Sequence, residues 1–258
     1  MNNIKAVIWH TLICWLRNYI YIGFVIAAFI LMGFAFLCSN ISGLFQDRIF
    51  IDSSLFFIEL ISMVTVVFIS ATTIIKDVLT KEVYYILSRP ISKYQFIVGR
   101  FIGSTACALI LYLLINVIFY ILILIYNINF QKSVFFYYFV IGALKMILIS
   151  STAFIFSTYS TSFFPSIILT LMCLTAFEFV DSLSYWITII IENTFIKSIY
   201  SFFISIVPNF ANYDIFYIYD FTKFGSLSNY IFFLFIYTII YSLIFLIISL
   251  ITFKNRNL

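Results

Sequence analysis

Long stretches of this chain carry no charged side chain, among them Asn18 to Gln46, Leu60 to Ile75, Phe101 to Gln131, Met146 to Phe177 and Phe224 to Phe253. Several exceed the ~20 residues that a helix needs to cross ~30 Å of hydrocarbon. Backbone N–H and C=O groups find no water in lipid, so such runs must satisfy them internally, as helices. The runs are continuous rather than alternating, which argues against a β-barrel. Composition agrees: 64% of the residues are hydrophobic, 9% are charged and the mean hydropathy is +1.16. A soluble domain of that make-up would leave large apolar areas in water. The expected fold class is all-α, a polytopic integral membrane protein.

The runs divide into six transmembrane helices, about 19–38, 53–75, 101–126, 134–157, 163–181 and 229–252, within a single domain, 1–258. The uncharged stretch between Lys145 and Glu178 is too long for one straight helix. The polar cluster Ser157 to Ser162, followed by Pro165, breaks it into two, because proline suits a first helical turn and not an interior. Ahead of the first span, Ile4, Ile8, Leu12 and Trp15 share one helical face, which reads either as an interfacial helix or as a plain cytoplasmic lead-in. The first apolar run is too long for a cleavable signal. Lys5, Arg17, Lys76, Lys81, Arg89, Lys93, Arg100, Lys254 and Arg256 fall on one side, against Arg48, Lys132, Lys197 and Lys223 on the other. That bias puts both termini and segment 76–100 in the cytoplasm of a cell-membrane protein. It also accounts for the net charge of +4 without nucleic acid. The outer segment, 182–228, is long and partly apolar, and reads as a re-entrant hairpin or as helices at the outer interface.

Charge is dense in one place only, from Lys76 to Arg100. Asp77 and Lys81 are spaced i, i+4 with the acid first, the favourable order on a helix. Val78, Val83, Tyr84, Ile86 and Leu87 supply apolar contacts. Pro90 forces Arg89 out of helical geometry, so the helix is expected to end near Ser88. Ser92 and Gln95 then form a capping box that starts the next helix. The result is a short elbow: helix, proline break, capped helix.

This segment resembles the type-two family of ABC exporter permeases, in which an acidic-and-basic stretch is followed by a small-Arg-Pro-hydrophobic-Ser motif and a Gly-basic entry to the next span. The matching residues are Ser88-Arg89-Pro90-Ile91-Ser92 and Gly99-Arg100-Phe101. Val207-Pro208-Asn209-Phe210 with Tyr213-Asp214 is similar to that family's Pro-Asn element before the last span. Phe253-Lys254-Asn255-Arg256-Asn257-Leu258 is similar to its closing motif, with Asn257 where an acid is common. The family's Gly-Thr-Leu is replaced by Lys81-Glu82-Val83. The resemblance covers most of the chain. It implies a half-transporter whose translocation path forms between two permease subunits, identical or not, each resting on a separate ATPase. It implies ATPase-coupling roles for Asp77, Lys81, Glu82, Tyr85, Arg89 and Pro90. ATP would be bound by the partner, in keeping with the absence of a G-x-x-x-x-G-K-[ST] loop in this sequence.

Three charges fall at membrane depth: Lys145 in span four, and Glu178 and Asp181 in the outer half of span five. Charged groups there face protein or water, since lipid exposure costs several kcal/mol. At ~1.5 Å per residue, Lys145 and Glu178 sit ~18 and ~22 Å from the inner edge, close enough to pair, with Asp181 one turn further out. Such a pair is either a clasp between helices or a polar patch on the substrate route. Glu59, near the outer end of span two, reads as the partner of a nearby Lys or Arg or as a wetted side chain. Cys14, Cys38, Cys107 and Cys173 are scattered, with no Cys-x-x-Cys and no histidine besides His10, so neither a disulfide framework nor a metal site is expected. An intramembrane enzyme lacks a base beside a nucleophile. An ATP-independent channel, carrier or assembly factor is the alternative to the exporter subunit. The apolar surfaces suit membrane lipid around the chain and an amphipathic cargo.

Overall fold

The computed structural model describes residues 2–41, 43, 46–88, 91–126, 128, 132–190, 194–214 and 227–254. Among these there is no strand. The helices are α1 (Asn2–Leu16), α2 (Tyr19–Ile41), α3 (Gln46–Leu79), α4 (Glu82–Leu87), α5 (Lys93–Ile125), α6 (Lys132–Tyr159), α7 (Phe163–Glu178), α8 (Val180–Ile190), α9 (Thr194–Ile206) and α10 (Leu227–Lys254), with a 3-10 turn at Phe210–Tyr213 before α10. Five of them, α2, α3, α5, α6 and α10, are long and apolar enough to cross a membrane. The pair α7 and α8 passes the same test together, bent by 44° at the break between them. The chain is thus a multi-pass helical membrane protein.

α3 and α6 are the most buried of the long helices, and α2 and α10 the least. Where α3, α6 and α7 meet, the side chains are small or hydroxylated: Ser70, Ala71, Thr73, Ser150, Ser151, Ala153 and Ser166 are all buried. Small residues let helix backbones approach closely in lipid, where apolar burial offers no preference between helix and lipid neighbours. Two hydrogen bonds mark the approach. Ser157 Oγ accepts from Ile74 N–H at 3.1 Å, and Ser166 Oγ donates to Ala71 C=O at 3.2 Å. Other hydroxyls along the seam turn back on their own helix, as Thr73 does to Ile69 C=O at 2.6 Å, whereas the buried Ser70 Oγ has no hydrogen-bond partner. α6 and α7 are separated at Ser160, with Pro165 in the first turn of α7, as the sequence indicates.

Both ends of α3 differ from the bounds expected. α3, of 34 residues, is ~51 Å long at 1.5 Å per residue. It starts at Gln46 rather than near 53, and Arg48 and Asp52 form an i, i+4 pair at 3.9 Å on its exposed first turns. The elbow also differs. α3 stops at Leu79 instead of continuing to Ser88, because Lys81 adopts left-handed φ 60°, ψ 13°, where an L side chain clashes with the backbone. α4 restarts the helix at Glu82. The Asp77–Lys81 pairing gives way with it, and Asp77 turns to Arg100 instead. The capping box at α5 is present on both sides: Ser92 Oγ accepts from Gln95 N–H and Gln95 Oε1 from Ser92 N–H, each at 3.2 Å.

α1 lies along the first turns of α5. Its buried positions are Val7, Thr11 and Trp15; of the expected Ile4/Ile8/Leu12/Trp15 face only Trp15 is buried, and the other three are half-buried. The reason is on α5. A Cβ at Gly99 would come within 2.8 Å of the Val7 side chain, and one at Gly103 within 2.6 Å of Thr11 Cβ. Gly99-x-x-x-Gly103 is a small-residue seam that seats a helix backbone. Gly103→Ala is therefore expected to lower stability by about 1–3 kcal/mol through overpacking, read as a lower thermal midpoint of the purified protein. An unchanged midpoint would remove α1 from this seat.

Candidate functional site

Two polar clusters interrupt the apolar bundle, one at the elbow and one at membrane depth. At the elbow the hub is Arg100, about two turns after Lys93 and buried, with its side chain only 3% exposed. Its Nε lies 2.7 Å from Asp77 Oδ2 on α3, a contact too bent for a hydrogen bond and therefore an ion pair. Its Nη2 lies 3.6 Å from Glu82 on α4. Its Nη1 donates to Thr11 Oγ1 at 3.1 Å and sits 3.4 Å from His10 Nδ1, both on α1. Thr11 in turn donates to Val7 C=O at 2.8 Å. One guanidinium thus ties four helices, a task for which its planar fork of donors is suited and a lysine is not. Lys76 adds a second tie from α3 to α1, 5.6 Å over the Trp15 ring.

Beneath these charges is a compact apolar cluster separate from the main core: Val7, Ile74, Val83, Phe96, Ile97, Phe101, Phe154 and Phe253. Val83 is fully buried in it, which pins α4 down. The opposite face of the elbow is different. Leu79, Tyr84 and Tyr85 are exposed, Tyr85 to 74%, beside exposed Lys81 and half-buried Glu82. The residues singled out in the sequence therefore divide. Lys81 and Tyr85 face outward, while Glu82 is half-buried with its carboxylate 3.6 Å from Arg100. Asp77 does not face outward; it is 4% exposed and braces the elbow from within. Arg89 and Pro90 lie outside the described residues.

His10, on the membrane-flanking α1, is held below the usual imidazole range by desolvation first and by the Arg100 guanidinium second, with Glu82 pulling the other way. A lowered native pKa makes neutral imidazole the folded form. Stability is then untouched above the unfolded pKa near ~6.5 and falls as pH drops through it, levelling below the native value. Acidification from about pH 7.5 to 5.5 should accordingly lower the thermal midpoint of the wild type more than that of His10→Gln. Equal losses would count against a role for His10 in seating α1.

The second cluster centres on Lys145. Its Nζ donates to Glu59 on α3 at 2.5 Å and lies 3.1 Å from Glu178, the last residue of α7, and 3.8 Å from Asp214 after the 3-10 turn. The Phe210 ring caps it at 5.3 Å. The lysine side chain is 5% exposed, whereas the three carboxylates are 38–41% exposed. The Lys145–Glu178 pair expected from helix depth is present, and Glu59 is a lysine partner. Asp181 belongs to α8, beyond the bend, and is not within ion-pair distance of Lys145. Asp214 is a further partner that sequence spacing does not indicate. A water-sized cavity of about 20 Å³ adjoins the lysine, lined in part by Glu59, Tyr112, Tyr138 and Gly142.

Asp214 reaches the lysine because the outer segment folds back into the bundle. α9 ends at Ile206, before Pro208. Asn209 caps the 3-10 turn, its Oδ1 accepting from Ala211 N–H at 2.9 Å, and its own N–H donates to Tyr237 Oη at 2.9 Å. Tyr213 Oη pairs with Thr238 Oγ1 at 2.8 Å, and Tyr230 Oη donates to Asn212 C=O at 2.6 Å. Irregular backbone at membrane depth is tolerated where protein covers it, and here α10 supplies both cover and partners. The Pro-Asn-Phe…Tyr-Asp element is therefore a built loop that delivers Phe210 and Asp214 to Lys145.

Among the described residues no three His, Cys, Asp or Glu side chains are grouped to hold a metal ion, and within the carboxylate cluster Lys145 Nζ takes the cationic position. No protein-family model matches this chain, and no curated protein matches it either.

Proposed function

We propose that this chain is the membrane-spanning subunit of an ATP-driven exporter, working as a pair of permease subunits with a separate ATPase beneath each elbow. The observation that carries the reading is the braced elbow: a six-residue helix, α4, set between two long membrane helices and locked to both by Arg100 and Val83. A push on α4 would be passed to α3 and α5 as a rigid body, the form of motion that domain-driven switching uses. The outward face, with Tyr84 and Tyr85 among charges, has the make-up of a protein contact, aromatic and charged rather than lipid-facing. Lys81 supports the family resemblance in a further way. It stands in the stretch where the family carries a glycine, and its backbone is in the left-handed region that glycine favours.

Six crossings with both termini cytoplasmic fit this role. Phe253 packs on Phe96 at 6.0 Å between ring centroids, and Thr252 pairs with Thr158 at 2.8 Å, so α1, the elbow, the end of α6 and the end of α10 share one side. With α2, α3, α5, α6 and α10 crossing, the α7–α8 pair would carry the chain from that side to the other, and α10 would bring it back. The Lys145 cluster, with three carboxylates to one lysine, favours a second reading, an ATP-independent carrier coupled to cations. Co-purification separates the two. The tagged wild type should retain a partner bearing a Walker-motif nucleotide site, and Tyr85→Ala with Lys81→Glu should reduce the retained amount at least tenfold. Retention of no such partner in the host membrane, or equal retention by the variant, contradicts the proposal.

A further inference from the structure

Between the first turn of α5 and the last turn of α10 lies a cavity of about 180 Å³ lined by Lys93, Tyr94, Ile97, Leu250, Phe253 and Lys254. Its floor is apolar: Ile97 and Phe253 are buried and Leu250 is half-buried. Lys93 and Lys254 are both exposed at its mouth, no acidic side chain lines it, and neither lysine forms an ion pair among the described residues. The groove lies at the ends of two membrane helices, where hydrocarbon gives way to headgroups.

We propose that this groove binds an anionic phospholipid of the leaflet on the elbow side, with the phosphate between Lys93 and Lys254 and the start of an acyl chain over Ile97 and Leu250. Charge complementarity selects the occupant. Two ammonium groups over an apolar floor match a phosphate carried on a hydrocarbon chain, and basic pockets between membrane helices suit such headgroups. The volume exceeds the ~150 Å³ that accommodates benzene in an engineered cavity, so a phosphate with its adjoining carbons has room. A soluble anion would use the lysines and leave the floor unfilled. The bound lipid would bridge the arm of the elbow to the last helix and hold them together at the side where α4 emerges. The inference concerns the isolated chain and stands apart from the exporter reading.

The test measures the lipid retained by the full-length purified chain from micelles containing equal phosphatidylglycerol and phosphatidylcholine. The wild type should prefer the anionic lipid by roughly thirtyfold, the combined effect of two near-surface lysines. Lys93→Gln with Lys254→Gln should lose most of that preference, the double Lys→Arg variant should keep it, and Lys5→Gln with Arg17→Gln, an equal charge loss elsewhere on the same end, should also keep it. Equal retention by the wild type and the double glutamine variant would overturn the proposal. So would an equal loss in the Lys5/Arg17 control, which would mean surface charge alone. Displacement of the lipid by millimolar inorganic phosphate would overturn it in favour of a free-anion site.

Discussion

Lys145→Met should lower the stability of the purified protein by about 3 kcal/mol and reduce its yield in the membrane. Removing one partner of a buried ion pair costs ~3–5 kcal/mol because the other charge is left uncompensated. Here three carboxylates would face one another without the ammonium, but each keeps about two fifths of its side-chain surface exposed, so the lower end applies. Neutralising Glu59 and Glu178 to Gln in the same chain should recover part of the loss, since the repulsion goes with the charges. A thermal-unfolding series in detergent reads both effects. The cluster ties α3, α6, α7 and the loop before α10, which favours a clasp over a patch on the cargo route. Wild-type stability in Lys145→Met combined with abolished transport would reverse that assignment.

Arg100→Met should have an effect of similar size at the other end of the molecule. It strands Asp77, 4% exposed, without its counter-ion and frees Glu82 and Thr11. The expected cost is about 3–5 kcal/mol, and the loss should be local in its first stage. α4 would keep Val83 as an anchor but lose its ionic tie to α5. Amide hydrogen exchange over residues 80–88 should accelerate before the membrane helices do. Arg100→Lys should recover little, because one ammonium cannot reach Asp77, Glu82 and Thr11 together. Arg100→Met with Asp77→Leu should be milder than Arg100→Met alone. If exchange at the elbow were unchanged in Arg100→Met, the bracing described here would be incorrect.

How much of this was legible in the sequence follows from which interactions are local. The membrane helices are written in uninterrupted apolar runs, and the α6–α7 turn in Ser157 to Pro165, because helix formation and proline chemistry act over a few residues. The capping box at Ser92 and Gln95 is legible for the same reason. The Lys145–Glu178 pair could be found because a fixed rise per residue converts position into depth. In the sequence Arg100 stands only as the basic entry to a span, and no spacing rule pairs it with Asp77 across the elbow. The Gly99-x-x-x-Gly103 seam was likewise present in the sequence, but only the contact with α1 shows what it seats. Asp214 and Phe210 could not have been assigned to Lys145 from spacing. Their approach depends on a loop held by Tyr230, Tyr237 and Thr238 of α10, contacts between segments with no shared periodicity. The helix break at Lys81 was hidden because favourable charge spacing there argued for continuation, and burial of Asp77 against Arg100 outweighed it.

The most direct measurement places a photo-crosslinking amino acid at Tyr85 in intact cells and identifies what it captures. The account predicts a single cytoplasmic partner carrying a Walker-motif nucleotide site, with a yield that changes between ATP-bound and nucleotide-free conditions, and no such capture from a control position on the lipid-facing side of α10, Ile240. Capture of lipid alone at position 85, or of proteins from the outer side of the membrane, would contradict it.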